Sequence, residues 1–220
     1  MKAIRVVVLD VDGTVVTCPI DFQGMRAAVR AVAARWGADT SALGPKGVIE
    51  QIREVAAALG ERGDAFRQEA EQAVVDIEVE AAAGAGVLPG VPEALAELRR
   101  EGRAVALITR NCRAAAERAL AGMRHYDLLL TREDVPLPKP DPDHVHRSLA
   151  ALGETPDAAA VVGDHGYDMR AGRDAGVRLC LGVRTGGSSD EALREAGADA
   201  VIASAAELPA FLRAWCEAAA

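Results

Sequence analysis

The sequence has few cysteines and no cysteine pattern. Cys18, Cys112, Cys180 and Cys216 stand isolated in 220 residues, with no CxxC and no metal-like spacing to histidine. This excludes a disulfide framework and a thiolate zinc site, and it implies a reduced, cytoplasmic chain. A basic stripe is also missing. Twenty-five Lys and Arg face 33 Asp and Glu for a formal net charge of -8, and the arginines are scattered among acids, which argues against a nucleic-acid partner. An anionic substrate would therefore need a local positive field. No apolar run is long enough to cross a membrane, and the run in IRVVVLD is too short for a signal-peptide core and is interrupted by Asp10, so neither a membrane role nor a cleaved leader is expected. Internal repeats and low-complexity tracts are absent, the Ala-rich C-terminus reading as a helix. What is present is a 50% hydrophobic composition, sufficient for one large domain or a domain with a small insert.

Short apolar runs alternate with amphipathic segments. The strand-like runs are IRVVVL (4–9), AVALIT (104–109), YDLLL (126–130), AAVVG (159–163), VRLCLGV (177–183) and DAVIA (199–203), with helical patterns such as VPEALAELRREG and DEALREAG between them. This alternation predicts βαβ units around a parallel sheet covered on both faces, a Rossmann-like doubly wound α/β core. Between residues 19 and 86 it stops. Three helical patterns occur there instead, DFQGMRAAVRAVAARWG, PKGVIEQIREVAAALG and DAFRQEAEQAVVDIEVEAA, so the expected organisation is a core of residues 1–18 and 87–220 with an all-helical insertion at 19–86.

The stretch VVVLDVDGTVV (6–16) ends an apolar strand with two carboxylates two residues apart. Side chains at i and i+2 leave a strand on one face, and like charges there repel unless a cation lies nearby. In a doubly wound sheet, ligands bind beyond the carboxyl ends of the strands, and the polar residues collect at those ends. Asp10 and Asp12 follow the first strand, Thr109, Arg110 and Asn111 the second, and Asp164 and Asp168 the fourth, in GDHGYD. Lys139 lies in PLPKPDPD, where prolines on both sides restrict the backbone before a helix that begins near Pro142. Several carboxylates on one rim call for a hard divalent cation such as Mg²⁺, which takes oxygen ligands.

DVDGT, the Thr of LITRN, the Lys of PKPDP and the GDHGYD stretch resemble, in order, the four motifs of the haloacid dehalogenase superfamily, and the resemblance covers nearly the whole chain. The closing segment RTGGSSDEALREAGADAVIASAAEL resembles that of its phosphoglycolate phosphatase-like branch, in which a helical cap is inserted just after the first motif. The resemblance implies that Asp10 is a nucleophile forming an aspartyl-phosphate, with Asp12 as general acid and then base. It implies Mg²⁺ held by the carboxylates of Asp10 and Asp164 and the carbonyl of Asp12, with Asp168 acting through a water or by orienting Lys139. Thr109 and Lys139 would bind phosphoryl oxygens, helped by backbone N–H groups near Gly13 and Arg110, with Thr14 fixing the turn and Asn111 beside them. Arg110 and His165 depart from the common pattern. Arg110 reads either as a contact to a second anionic group or as an outward salt bridge, and His165 as a surface or supporting residue. In the cap, Lys46 of GPKG reads either as a substrate contact or as a solvated lysine.

The expected function is a Mg²⁺-dependent phosphatase acting on a small phosphorylated metabolite, phosphoglycolate or a sugar phosphate, in a monomer or homodimer. Two alternatives remain. A phosphomutase resembling β-phosphoglucomutase would share these residues. A receiver-type signalling domain also phosphorylates an Asp with Mg²⁺, Thr and Lys, although it would lack Asp12's function and the helical insertion.

Overall fold

A computed structural model describes residues 3–40 and 47–218. Strand β1 (Val6–Asp10) is buried along its whole length, as expected of a strand covered on both faces. It pairs in parallel with β4 (Ala104–Ile108) on one side and β6 (Ala159–Gly163) on the other. Beyond these lie β5 (Leu128–Leu130) next to β4, and β7 (Leu179–Val183) then β8 (Ala200–Ile202) next to β6. Among the described residues the six-stranded order is β5-β4-β1-β6-β7-β8, with every neighbour parallel. The chain winds outward from β1 in one direction and then from β6 in the other, so the topological switch point lies between β1 and β6.

The helices that follow these strands carry apolar residues at helical spacing. In α4 (Val91–Arg100), Val91, Ala94, Leu95 and Leu98 are buried, and this stripe packs on β4. On a common core, Val6 and Val8 of β1 and Ile108 of β4 meet Val145 and Leu149 of α6 (Asp143–Leu152) and Met169 of α7 (Gly166–Asp174). Three further helices, α5 (Arg113–Ala119), α8 (Asp190–Glu195) and α9 (Leu208–Ala218), complete this part of the chain.

The chain divides into two compact units, Met1–Cys18 with Ala85–Ala220, and Pro19–Gly84. The second contains α1 (Phe22–Arg35), α2 (Val48–Ala58) and α3 (Gly63–Ala82), each close to its sequence pattern. It has its own core, in which Met25, Val29 and Val32 of α1 meet Ile52 and Val55 of α2 and Phe66, Ala70 and Val74 of α3. Asp21 caps α1 by accepting the Gly24 N–H at 2.8 Å.

Several strands differ from the sequence reading in their limits. The first runs over Val6–Asp10, because Asp10 still pairs with Ile108. The runs at 126–130 and 199–203 shrink to Leu128–Leu130 and Ala200–Ile202. In each case the preceding aspartate still donates its N–H to the neighbouring strand, to the Val105 and Cys180 carbonyls at 2.8 Å, but the return bond goes to its carboxylate: Asp127 accepts the Val105 N–H at 2.9 Å and Asp199 the Cys180 N–H at 2.8 Å. A two-residue antiparallel ladder of β2 (Val16–Thr17) and β3 (Gly86–Val87) was not anticipated. Among the described residues no helix is long and apolar enough to cross a membrane.

Candidate active site

Beyond Asp10 the chain turns sharply. The N–H groups of Val15 and Val16 both bond to the Val11 carbonyl, at 2.8 and 3.0 Å, while the Gly13 N–H bonds to the Val16 carbonyl at 2.7 Å. Gly13 has φ +80°, and a Cβ there would lie 2.7 Å from Oδ2 of Asp164. Only glycine meets both demands. The turn separates the two acids. Asp10 faces Lys139, whose Nζ donates to Asp10 Oδ1 and, at 2.6 Å, to Asp168 Oδ1. Asp12 turns elsewhere: its Oδ2 accepts from Thr109 Oγ1 at 3.2 Å and from Asn111 Nδ2 at 2.9 Å. Thr109 is itself fixed, since its hydroxyl oxygen accepts the Asn111 N–H at 3.1 Å.

The loop after β6 supplies the other acids. Gly163 ends the strand, and a Cβ on it would overlap the Asp168 side chain, so the glycine makes room for that carboxylate. Asp168 Oδ2 accepts the His165 N–H at 3.1 Å, and His165 Nδ1 accepts the Tyr167 N–H at 3.1 Å. Together they form a reciprocal cap on α7. His165 thus performs the capping that a hydroxyl side chain commonly supplies, and burial lowers its pKa, favouring the neutral ring that such acceptance requires.

One oxygen from each of Asp10, Asp164 and Asp168 lies within 4.8 Å of the others. The buried cation among them is Lys139, 2% exposed. Burial pushes the Asp10 carboxyl well above the usual carboxylate range; the Lys139 charge opposes this, while Asp168 and Asp164 add to it. Burial, with the charge of Asp168, raises Asp164 to about 6. For Lys139 burial alone would lower the pKa, but Asp10 and Asp168 more than reverse this and hold the ammonium charged. The cluster therefore has more negative charge than one ammonium balances. Its all-carboxylate donor set fits a hard divalent cation.

All the sequence-predicted site residues but Lys46 lie among the described residues. Asp10, Lys139, Asp164 and Asp168 converge, and Asp12, Thr109 and Asn111 form an adjoining group. Thr14 is fully buried, and its hydroxyl has no hydrogen-bond partner among the described residues. Arg110 donates from one terminal nitrogen to the Lys139 carbonyl at 2.8 Å, and its guanidinium lies 4.8 Å above the Tyr167 ring centre. Lys46 lies outside the described residues. Sequence reasoning missed Tyr167, over which Arg170 also lies at 5.2 Å. It also missed buried His144, whose Nε2 is 3.0 Å from the Thr131 carbonyl at the base of the Lys139 loop. The HGYD spacing of a cap residue followed three positions later by an acid was a usable signal for His165; His144 offered none beyond its place on the apolar face of α6.

Residues 4–176 match the family described as haloacid dehalogenase-like hydrolase. The chain is 33% identical over 215 residues to a phosphoglycolate phosphatase (plasmid) of Cupriavidus necator, covering 94% of this chain and 92% of that one. It is 33% identical over 186 residues to a phosphoglycolate phosphatase of Cereibacter sphaeroides, covering 80% and 83%. Among solved structures, a phosphonoacetaldehyde hydrolase-like protein from Oleispira antarctica superimposes with a TM-score of 0.71 at 20% identity, over 96% of this chain and 91% of that one, a likeness of fold. The acids at the ends of β1 and β6, the lysine between them and these relationships lead to one conclusion: the chain belongs to the haloacid dehalogenase-like hydrolase family and is a phosphatase of its phosphoglycolate phosphatase-like branch.

Proposed function

We propose that this chain is a Mg²⁺-dependent phosphomonoesterase that hydrolyses phosphoglycolate or a similarly small phosphorylated metabolite through an aspartyl-phosphate on Asp10. The observation that carries the reading is the partition of the two acids of DVDGT between different partners, Asp10 with Lys139 and Asp12 with Thr109 and Asn111. Attack on phosphorus and proton transfer to the leaving group then fall to two acids with different neighbours.

In this reading Asp10 attacks phosphorus in line with the departing alkoxide, and Asp12 donates the proton that the alkoxide needs. Asp12, now ionised, takes a proton from the water that attacks the aspartyl-phosphate and returns Asp10 to its carboxylate. Lys139 and Thr109 hold phosphoryl oxygens, joined by the N–H groups near Gly13 and Arg110, while Asp168 orients Lys139. Asp10, Asp164 and the Asp12 carbonyl would hold Mg²⁺, which when bound screens the anionic nucleophile from the anionic phosphate. The residues that hold it fit on chemical grounds, being oxygen donors in surplus over the available positive charge. Arg110 and Asn111 border the substrate.

Phosphate release is measured over a panel of 2-phosphoglycolate, sugar phosphates, phosphoserine and pyrophosphate, with Mg²⁺ or with EDTA. The expected result is fastest release from a small phosphomonoester, loss in EDTA and loss in Asp10→Asn. In Asp12→Asn, turnover should fall by roughly 10²–10⁴. Formation of an isomeric sugar phosphate without free phosphate would replace this reading by a mutase, and a long-lived phosphoprotein in the wild type by a signalling domain.

A further inference from the structure

The loop that follows β7 reads RTGGSSD, and the site chemistry above makes no use of it. Yet it makes two contacts with the site. Thr185 Oγ1 donates to the Gly13 carbonyl at 2.6 Å, and the Gly187 N–H donates to Asp164 Oδ2 at 3.3 Å. Between them, Gly186 approaches Asp164 so closely that a Cβ built on it would overlap the Cβ, Cγ and Oδ2 of that residue. Because the overlap includes Asp164 Cβ, rotating the carboxylate would not relieve it. The Asp164 side chain thus lies between two glycines on different loops, Gly13 and Gly186, neither of which could carry a methyl group without moving it.

The backbone at Gly186 is not in the left-handed region. The requirement for glycine there is therefore close approach alone, unlike that at Gly13, where conformation contributes as well. The hydroxyl of Thr185 completes the arrangement: it fixes the Gly13 carbonyl, which keeps the turn against Asp164, while the Gly187 N–H restrains the carboxylate from the other side.

We propose that Thr185, Gly186 and Gly187 are positioning residues that clamp the Asp164 carboxylate against the Gly13 turn and thereby set the affinity of the site for its divalent cation. This rests on the reading of Asp164 as a holder of that cation. Substituting residues that support a metal ligand commonly costs about 10–100-fold in metal affinity.

The test is isothermal titration of Mg²⁺ into the full chain and into Thr185→Val, Thr185→Ser and Gly186→Ala, together with the Mg²⁺ dependence of kcat. Thr185→Val should bind Mg²⁺ about tenfold more weakly and recover its kcat at saturating Mg²⁺, whereas Thr185→Ser, which keeps the donor, should stay within about twofold of wild type. Gly186→Ala should weaken binding further, toward about a hundredfold. If Gly186→Ala does not fold, the Val and Ser pair at 185 still decides. Equal Mg²⁺ affinity in wild type, Thr185→Val and Thr185→Ser overturns the clamp while leaving the metal reading intact. A wild-type chain that takes up no Mg²⁺ overturns the metal reading and the clamp with it.

Discussion

Replacing Asp164 by Asn should stabilise the metal-free chain while removing its response to Mg²⁺. The carboxyl stands at about 6 in the folded protein against an ordinary value of 3.8, with burial as the larger cause and the charge of Asp168 next. Its pKa is raised, so folding favours the protonated form. Stability from this group is present below 3.8 and is lost as pH rises through about 6. At about pH 7.5 the ionised Asp164 therefore costs about 3 kcal/mol, falling to roughly half that at about pH 5. Asn is nearly isosteric, still accepts the Gly187 N–H, and carries no charge toward Asp168. After EDTA treatment its thermal midpoint at about pH 7.5 should exceed that of wild type by roughly 6–12 °C for a chain of this size. Saturating Mg²⁺ should restore wild type by about 2.7 kcal/mol at a hundred times its Kd and leave the variant unmoved. An Asn variant less stable than metal-free wild type, or an advantage that does not shrink toward about pH 5, would refute the reasoning.

His144 gives the opposite slope. Burial, aided by the charge of Lys139, lowers it to about 4 from 6.5, so its contribution is complete above 6.5 and is lost as pH falls toward about 4. From about pH 7 to about pH 5 the loss is about 2 kcal/mol, and urea midpoints of wild type and His144→Gln should converge over that range; parallel curves would count against it. Lys139→Met removes the cation between Asp10 and Asp168 and should cost about 3–5 kcal/mol in metal-free urea unfolding. By contrast, Arg35→Ala, which breaks an exposed pair with Glu69 in the helical unit, should leave the urea midpoint nearly unchanged.

The parallel sheet was legible because its strands are short apolar runs buried on both faces, and the acids that end them stand out against that background. The three helices of the second unit were legible as amphipathic patterns with no strand between them; whether their stripes would meet one another, as they do, or cover the sheet was not. What could not be read depends on partners distant in the chain. A two-residue ladder such as β2 with β3 has no period to detect, and the starts of β5 and β8 are set by Asp127 and Asp199 reaching across to Val105 and Cys180.

The same distance governs the site. Arg110 offered two readings because its company, the Lys139 carbonyl and the Tyr167 ring, lies 29 and 57 residues further on. Asp10 and Asp12 were paired by their spacing, and the spacing alone assigns both to one face. The turn at Gly13 changes this by ending the strand between them, so that a lysine from the loop before α6 meets one acid and a threonine and an asparagine from the end of β4 meet the other. The two neighbouring carboxylates thereby have different partners, and that difference originates in the fold, because three separate loops must arrive at the end of β1 before it exists.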